Sequence, residues 1–138
     1  MAGTLPDRIV LDTSNILSLF FSEYYEFFVY LKLRHNIQVL TCRQQNNELT
    51  AALKYPKVKK LLKADPSKLV RFFKKYSVMM EVGERFDRMP DLKDNYLVDL
   101  AYTGKANYLV SGDRNVLSLK HVGKIQIISI SRLHQILQ

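Results

Sequence analysis

Residues 107–116 read NYLVSGDRNV. Tyr108, Leu109 and Val110 form a short apolar run of types that suit a strand, and it leads into Ser111-Gly112-Asp113. Gly and Asp are turn residues, so a turn alone could explain that ending. Residues 8–17, RIVLDTSNIL, repeat the pattern, with Ile9-Val10-Leu11 running into Asp12. Two apolar strands that each deliver an aspartate at the carboxyl end point to a shared site rather than to two separate turns.

Outward from these two stretches, strands and helices alternate. Strands are predicted at residues 8–11, 37–41, 78–82, 108–110 and 125–128. A long helix is predicted over 14–34, where Ile16, Phe20, Tyr24, Phe27 and Leu31 recur three or four residues apart. A helix over 44–53 follows, then a basic helix after Pro56. The next helix opens at Asp65-Pro66, an acid cap with proline at the first position, and carries Leu69, Phe72, Phe73 and Tyr76. Another helix over 92–103 is expected to close on Gly104 as a left-handed cap. Short helices near 115–119 and from Ser129 or Ser131 complete the order. Such alternation implies right-handed crossovers. The predicted fold is therefore α/β, a three-layer α/β/α arrangement around a parallel sheet of four to five strands. In open parallel sheets the ligand crevice lies beyond the carboxyl ends of the strands, where Asp12 and Asp113 stand.

The 138 residues suit one domain spanning 1–138, and 47% of them are hydrophobic, enough for a core. No repeat or linker interrupts them. The single cysteine, Cys42, cannot bridge internally, which fits a reducing, cytoplasmic setting. No leader pattern opens the sequence, and the most apolar segment carries Glu23, Glu26 and Lys32, so no membrane association is expected. The net charge of +8 suits nucleic acid or an acidic protein.

Two further acids can join the pair. Asp94 begins the helix in DLKDNYLVDLA, on the stripe continued by Leu97 and Ala101; it could equally only favour the helix dipole. Asp91 reads as the N-cap, and Asp99 as a solvated residue off that stripe. Glu48, in QQNNELTAAL, lies near an inner stripe, although a lone glutamate there would read as surface. Ser14 and Thr13 fit helix caps and Ser111 a turn residue. His35, His121 and His134 lack metal-ligand spacing, and no Gly-rich phosphate loop or dinucleotide fingerprint is present.

Together these stretches resemble the PIN-domain family, in particular its small toxin components of bacterial toxin–antitoxin pairs. IVLDTSNILS is similar to the family's first strand and Asp-Thr-Asn/Ser signature. NNELTAALKYPKVKKLL is similar to its Glu-bearing helix, DLKDNYLVDLA to its Asp-x-x-Asp helix start, and ANYLVSGDRNVLSL to its strand ending in Thr/Ser-Gly-Asp. Ser14 stands where many members have asparagine, and Leu92 where close members often have proline.

The resemblance implies an acidic cluster of Asp12, Glu48, Asp94 and Asp113. It further implies Mg²⁺ or Mn²⁺ as cofactor and RNA as substrate. Crowded carboxylates repel one another unless a cation joins them, and hard divalent cations prefer oxygen ligands. Asp12, Asp94 and Asp113 are expected as direct or water-mediated ligands, with Glu48 orienting water or holding a second ion. Ser14, Ser111 and Arg114 are candidate substrate contacts. Lys54, Lys57, Lys59, Lys60, Arg85 and Arg88 are candidate phosphate contacts on a basic rim. The expected activity is a metal-dependent endoribonuclease restrained by a small antitoxin protein, with homodimers possible. The rival readings are a non-catalytic RNA- or protein-binding module and a DNA-directed nuclease.

Overall fold

A computed structural model describes residues 8–82 and 95–138. In chain order its elements are β1 (Arg8–Leu11), α1 (Thr13–Phe21), α2 (Glu26–His35), β2 (Gln38–Thr41), α3 (Arg43–Leu53), α4 (Pro56–Leu61), α5 (Pro66–Lys75) and β3 (Ser77–Met79). After the undescribed stretch come α6 (Asn95–Thr103), β4 (Tyr108–Val110), α7 (Arg114–Leu117), β5 (His121–Val122), β6 (Ile125–Ile128) and α8 (Ile130–Leu137).

The six strands among the described residues lie in the order β3-β2-β1-β4-β6-β5. All pairings are parallel except β5 with β6. The α/β expectation holds, with one strand more than the four to five predicted. The extra strand, β5, has two residues and returns through a tight turn in which Gly123 takes φ +58. A pair of residues is too short to show the alternation that marks a strand in sequence.

Side chains alternate across the sheet with period two. Ile9, Leu11, Val39 and Val110 face one core, built with α1, α2, α3, α5 and α8. Val10, Leu40, Leu109 and Ile127 face the other, under α6 and α7. The first core is rich in aromatics. Phe28 meets Phe72 and Phe73 edge-on at 6.0 and 5.9 Å between centroids, a favoured arrangement of aromatic quadrupoles. β1 and β4 are adjacent central strands, with Leu11 level with Val110. Their carboxyl ends therefore emerge side by side.

Three local expectations change. The helix predicted over 14–34 is two helices. Ser22 Oγ donates to the carbonyls of Ser18 and Leu19, satisfying the end of α1, and Glu23 turns left-handed at φ 57. Buried Phe20, Phe27, Phe28 and Leu31 keep helical spacing across the break, so periodicity could not reveal it. Gly104 is not the left-handed cap. Lys105 adopts φ 54 instead; a Cβ at 104 would lie 2.3 Å from Leu40 Cδ1, so the buried Leu40 side chain would have to shift to admit one. Asp99, expected in solvent, is 6% exposed, because α6 buries every residue from Tyr96 to Ala101 between the sheet and its surroundings. The cap at α5 is as predicted, with Asp65 accepting from Ser67 N at 2.9 Å. Asp91, Leu92, Arg85 and Arg88 lie outside the described residues.

Candidate active site

The carboxyl end of β1 passes directly into α1. Asp12 N donates to Val110 O at 2.8 Å, which extends the β1–β4 ladder by one step. Asp12 then caps α1: its Oδ1 accepts from Ser14 N at 3.2 Å. The same construction recurs at β4. Asp113 caps α7 and accepts from Asn115 N at 2.8 Å. Each aspartate is thus the last residue before a helix, so its backbone is fixed by a strand behind and a helix ahead. The turn reading and the site reading of these residues are compatible, since capping leaves carboxylate lone pairs free.

Ser111 joins the two. Its hydroxyl donates to Asp12 Oδ2 at 2.8 Å and accepts from Asp113 N at 3.1 Å. Expected to touch substrate, Ser111 is instead fully buried, and its hydroxyl is engaged in holding Asp12 against the Asp113 turn. Ser14 and Arg114 are exposed at the starts of α1 and α7. Both remain open to a ligand at this edge.

Glu48 approaches from α3. Thr13 Oγ1 donates to Glu48 Oε1 at 3.3 Å, and the Tyr96 hydroxyl, from α6, donates to the same oxygen. Thr13 Oγ1 and Tyr96 OH lie 3.3 Å apart. α3 itself is tied to β1 by Gln45, which is fully buried. Gln45 Nε2 donates to Leu11 O at 2.7 Å, while Gln45 Oε1 accepts from Thr41 Oγ1 at 2.7 Å. Asn46 Nδ2 adds bonds to Thr41 Oγ1 and Cys42 O, both 3.1 Å. The result is one polar line along the sheet edge, from Asp113 through Ser111, Asp12 and Thr13 to Glu48 and Tyr96.

Burial, above all, and the bond to Glu48 push the Tyr96 hydroxyl far above the usual tyrosine range. Tyr96 is therefore a neutral donor at any physiological pH. Burial likewise raises the Cys42 thiol, leaving a poor nucleophile.

Asp94 lies outside the described residues, one position before α6. Among the described residues no three Asp, Glu, His or Cys side chains come close enough to enclose a metal ion. The donor set nevertheless fits a hard cation. Asp12 and Asp113 supply carboxylate oxygens without nitrogen or sulfur, and Mg²⁺ needs only one or two carboxylates because it keeps several waters.

Tyr96, Gln45 and Thr13 in its contact with Glu48 were not legible as site residues. Tyr96 stands off the stripe of Leu97 and Ala101, and its polar partners lie on α1 and α3. Gln45 carries no signal for its role, since its partners lie on two different strands.

The model of the PIN domain family matches residues 8–115, from β1 into α7. The chain belongs to the PIN domain family. PIN domains are a family of nucleases, and PIN nucleases typically use divalent metals. The matched span contains Asp12, Glu48, Asp94 and Asp113 together with Ser14, Ser111 and Arg114. No curated protein matches the chain. No helix among the described residues is long and apolar enough to cross a membrane.

Proposed function

We propose that this PIN domain is a metal-dependent endoribonuclease, the toxin of a toxin–antitoxin pair whose small antitoxin protein restrains it. The observation that carries the nuclease reading is the Ser111 bridge, which holds Asp12 beside the Asp113 turn at the carboxyl edge of adjacent central strands. Asp12 and Asp113 would hold Mg²⁺ or Mn²⁺, with Asp94 as a further ligand. Bound there, the cation would lower the pKa of a coordinated water and offset charge on the phosphoryl oxygens. The chain's own residues position the site. Ser111 orients Asp12, the start of α1 fixes its backbone, and Glu48 presents a carboxylate that can accept a proton from water. RNA as substrate and the toxin role rest on the similarity to small PIN toxins. Exposed Tyr30 and Leu33 on α2 suit pairing of two copies.

Residues 54–75 favour a polyanionic substrate. They carry nine of the chain's 21 Lys and Arg against one acid, Asp65, and so account for the whole net charge of +8. Among the described residues only Lys63 of this group has an ion-pair partner, Glu23 at 3.3 Å. Like charges at helical spacing destabilise α4 and α5, a cost that a bound phosphate backbone would relieve. Lys57→Ala should weaken RNA binding about equally for all sequences and lower its salt dependence by roughly one unit of slope. A salt slope identical to the parent's would remove Lys57 from the binding face.

The nuclease reading is tested by incubating pure protein with single-stranded RNA and, separately, single-stranded DNA, with Mg²⁺, Mn²⁺ or EDTA. Cutting of RNA that EDTA stops is expected. A metal-dependent cut of DNA alone would make it a DNA-directed nuclease, and binding without any cut a binding module. Millimolar Mn²⁺ should also raise the melting temperature, since an ion that binds only the folded state stabilises it by mass action. An unchanged melting temperature counts against the site.

A further inference from the structure

We infer that Tyr96 is a positioning residue: with Thr13 it clamps the Glu48 carboxylate so that one face of Glu48 is kept for the reaction at the sheet edge. The inference rests on the nuclease reading of this edge and names a residue that the acidic cluster does not include.

Glu48 is exposed, and a glutamate side chain on a helix surface is free to sample several rotamers. Two hydroxyls from two other elements remove that freedom. Thr13, the first residue of α1, donates to Oε1 at 3.3 Å, and Tyr96 of α6 donates to the same atom. Both donors engage Oε1, which leaves Oε2 without a protein partner among the described residues. The clamp is asymmetric, with one oxygen held and the other presented. Its three members come from both helical layers and meet only at the carboxyl edge.

The supports of the clamp are rigid. Tyr96 is 8% exposed and packs in the core beneath α6 with Leu97, Leu100 and Val10, so its ring cannot follow Glu48 if the carboxylate moves. Thr13 is placed by the Asp12 cap, and Gln45 Nε2 lies 3.5 Å from Thr13 Oγ1. The Thr13 and Tyr96 hydroxyls lie 3.3 Å apart; each has a single proton, and with both protons given to Glu48 Oε1 they flank that oxygen without bonding each other. A phenylalanine at 96 would fill the same space and pack the same core. The hydroxyl, buried and directed at a carboxylate, has no packing purpose. Its role is to hold an acid that otherwise would wander. Thr13 adjoins Asp12 in the chain, so the clamp also fixes Glu48 relative to Asp12, and the two acids are oriented together.

The test compares four full-length proteins: parent, Tyr96→Phe, Glu48→Gln and the double variant. Tyr96→Phe should keep its fold and lower kcat on single-stranded RNA with Mn²⁺ about tenfold, a usual cost of removing a group that orients an active-site ligand, while KM stays unchanged. In the Glu48→Gln background the same substitution should cost nothing further, because the group it positions is already gone. Equal losses in both backgrounds, or no loss in the parent, would overturn the inference. The contact is read without activity by NMR of the exchange-protected Tyr96 hydroxyl proton. That signal should be present in the parent, absent in Tyr96→Phe and displaced in Glu48→Gln. A signal indifferent to Glu48→Gln overturns the clamp whatever the kinetics show. A parent that cuts no RNA overturns the nuclease reading and the catalytic part of the inference with it. The hydroxyl signal still reports on the clamp in that event, so the two failures are distinguishable.

Discussion

Asp12→Asn is expected to lower RNA cleavage by about a hundredfold or more while leaving the melting temperature in EDTA nearly unchanged. Asparagine is as good an N-cap as aspartate, so its side-chain oxygen can still accept from Ser14 N, the bond Asp12 makes at 3.2 Å. Its amide can donate to Ser111 Oγ, which now donates to Asp12 Oδ2 at 2.8 Å. What the substitution removes is negative charge at the end of β1. Changes to groups that merely support a metal ligand commonly cost 10–100-fold, so loss of a ligand's charge should reach at least the top of that range. The Mn²⁺-induced rise in melting temperature should shrink in parallel. A variant that cuts as fast as the parent would place the activity elsewhere.

Gln45→Leu is expected to be the most destabilising single change near the site. Gln45 is fully buried and makes two 2.7 Å hydrogen bonds, one to Leu11 O and one from Thr41 Oγ1. Leucine is close in volume, so no large cavity opens. The carbonyl at the end of β1 loses the Gln45 donor, and the Thr41 hydroxyl loses the acceptor of its proton, keeping only the bond it accepts from Asn46 Nδ2. Leaving a buried polar group unsatisfied costs about 1–3 kcal/mol, so the pair should cost about 2–4 kcal/mol, a fall in melting temperature on the order of 10 °C. Activity should fall as well, because Gln45 ties the helix that carries Glu48 to the strand that carries Asp12. Thermal unfolding followed by circular dichroism checks the first effect. A change under about 1 kcal/mol would show that water or Asn46 replaces the glutamine.

The contrast between these two residues shows where sequence reading succeeds. Asp12 and Asp113 are legible because each ends a β-branched or apolar run, and strand ends in a parallel sheet have a fixed place in the fold. The cap at Asp65-Pro66 is legible for a similar reason: its partner, Ser67, lies two residues away. Besides Thr41, four residues away, Gln45 takes a partner 34 residues distant, and Tyr96 takes one 48 residues distant on the opposite helical layer; no local pattern encodes such meetings. The break between α1 and α2 was hidden because the aromatic face stays in phase across it. Gly104 was legible as special but for the wrong reason. What sets Gly104 apart is a close approach to the Leu40 side chain, not a left-handed turn.

Asp99 illustrates a limit of helical-face counting. Its neighbours Leu97 and Ala101 define one stripe, and on that basis Asp99 falls outside it. The structure buries residues on either side of that stripe as well, because α6 is covered on more than the sheet-facing side. A single stripe describes a helix with one buried face, and α6 is not such a helix.

In the proposed reaction, carboxylates at the carboxyl edge of β1 and β4 serve hydrolysis by water. The most direct measurement uses a single-stranded RNA whose cleavage site carries a 2′-methoxy group in place of the 2′-hydroxyl. A water nucleophile needs no 2′-hydroxyl, so the parent with Mg²⁺ or Mn²⁺ should still cut this substrate, and EDTA should stop it. Cleavage only of the unmodified RNA, unaffected by EDTA and leaving a cyclic phosphate, would contradict the account.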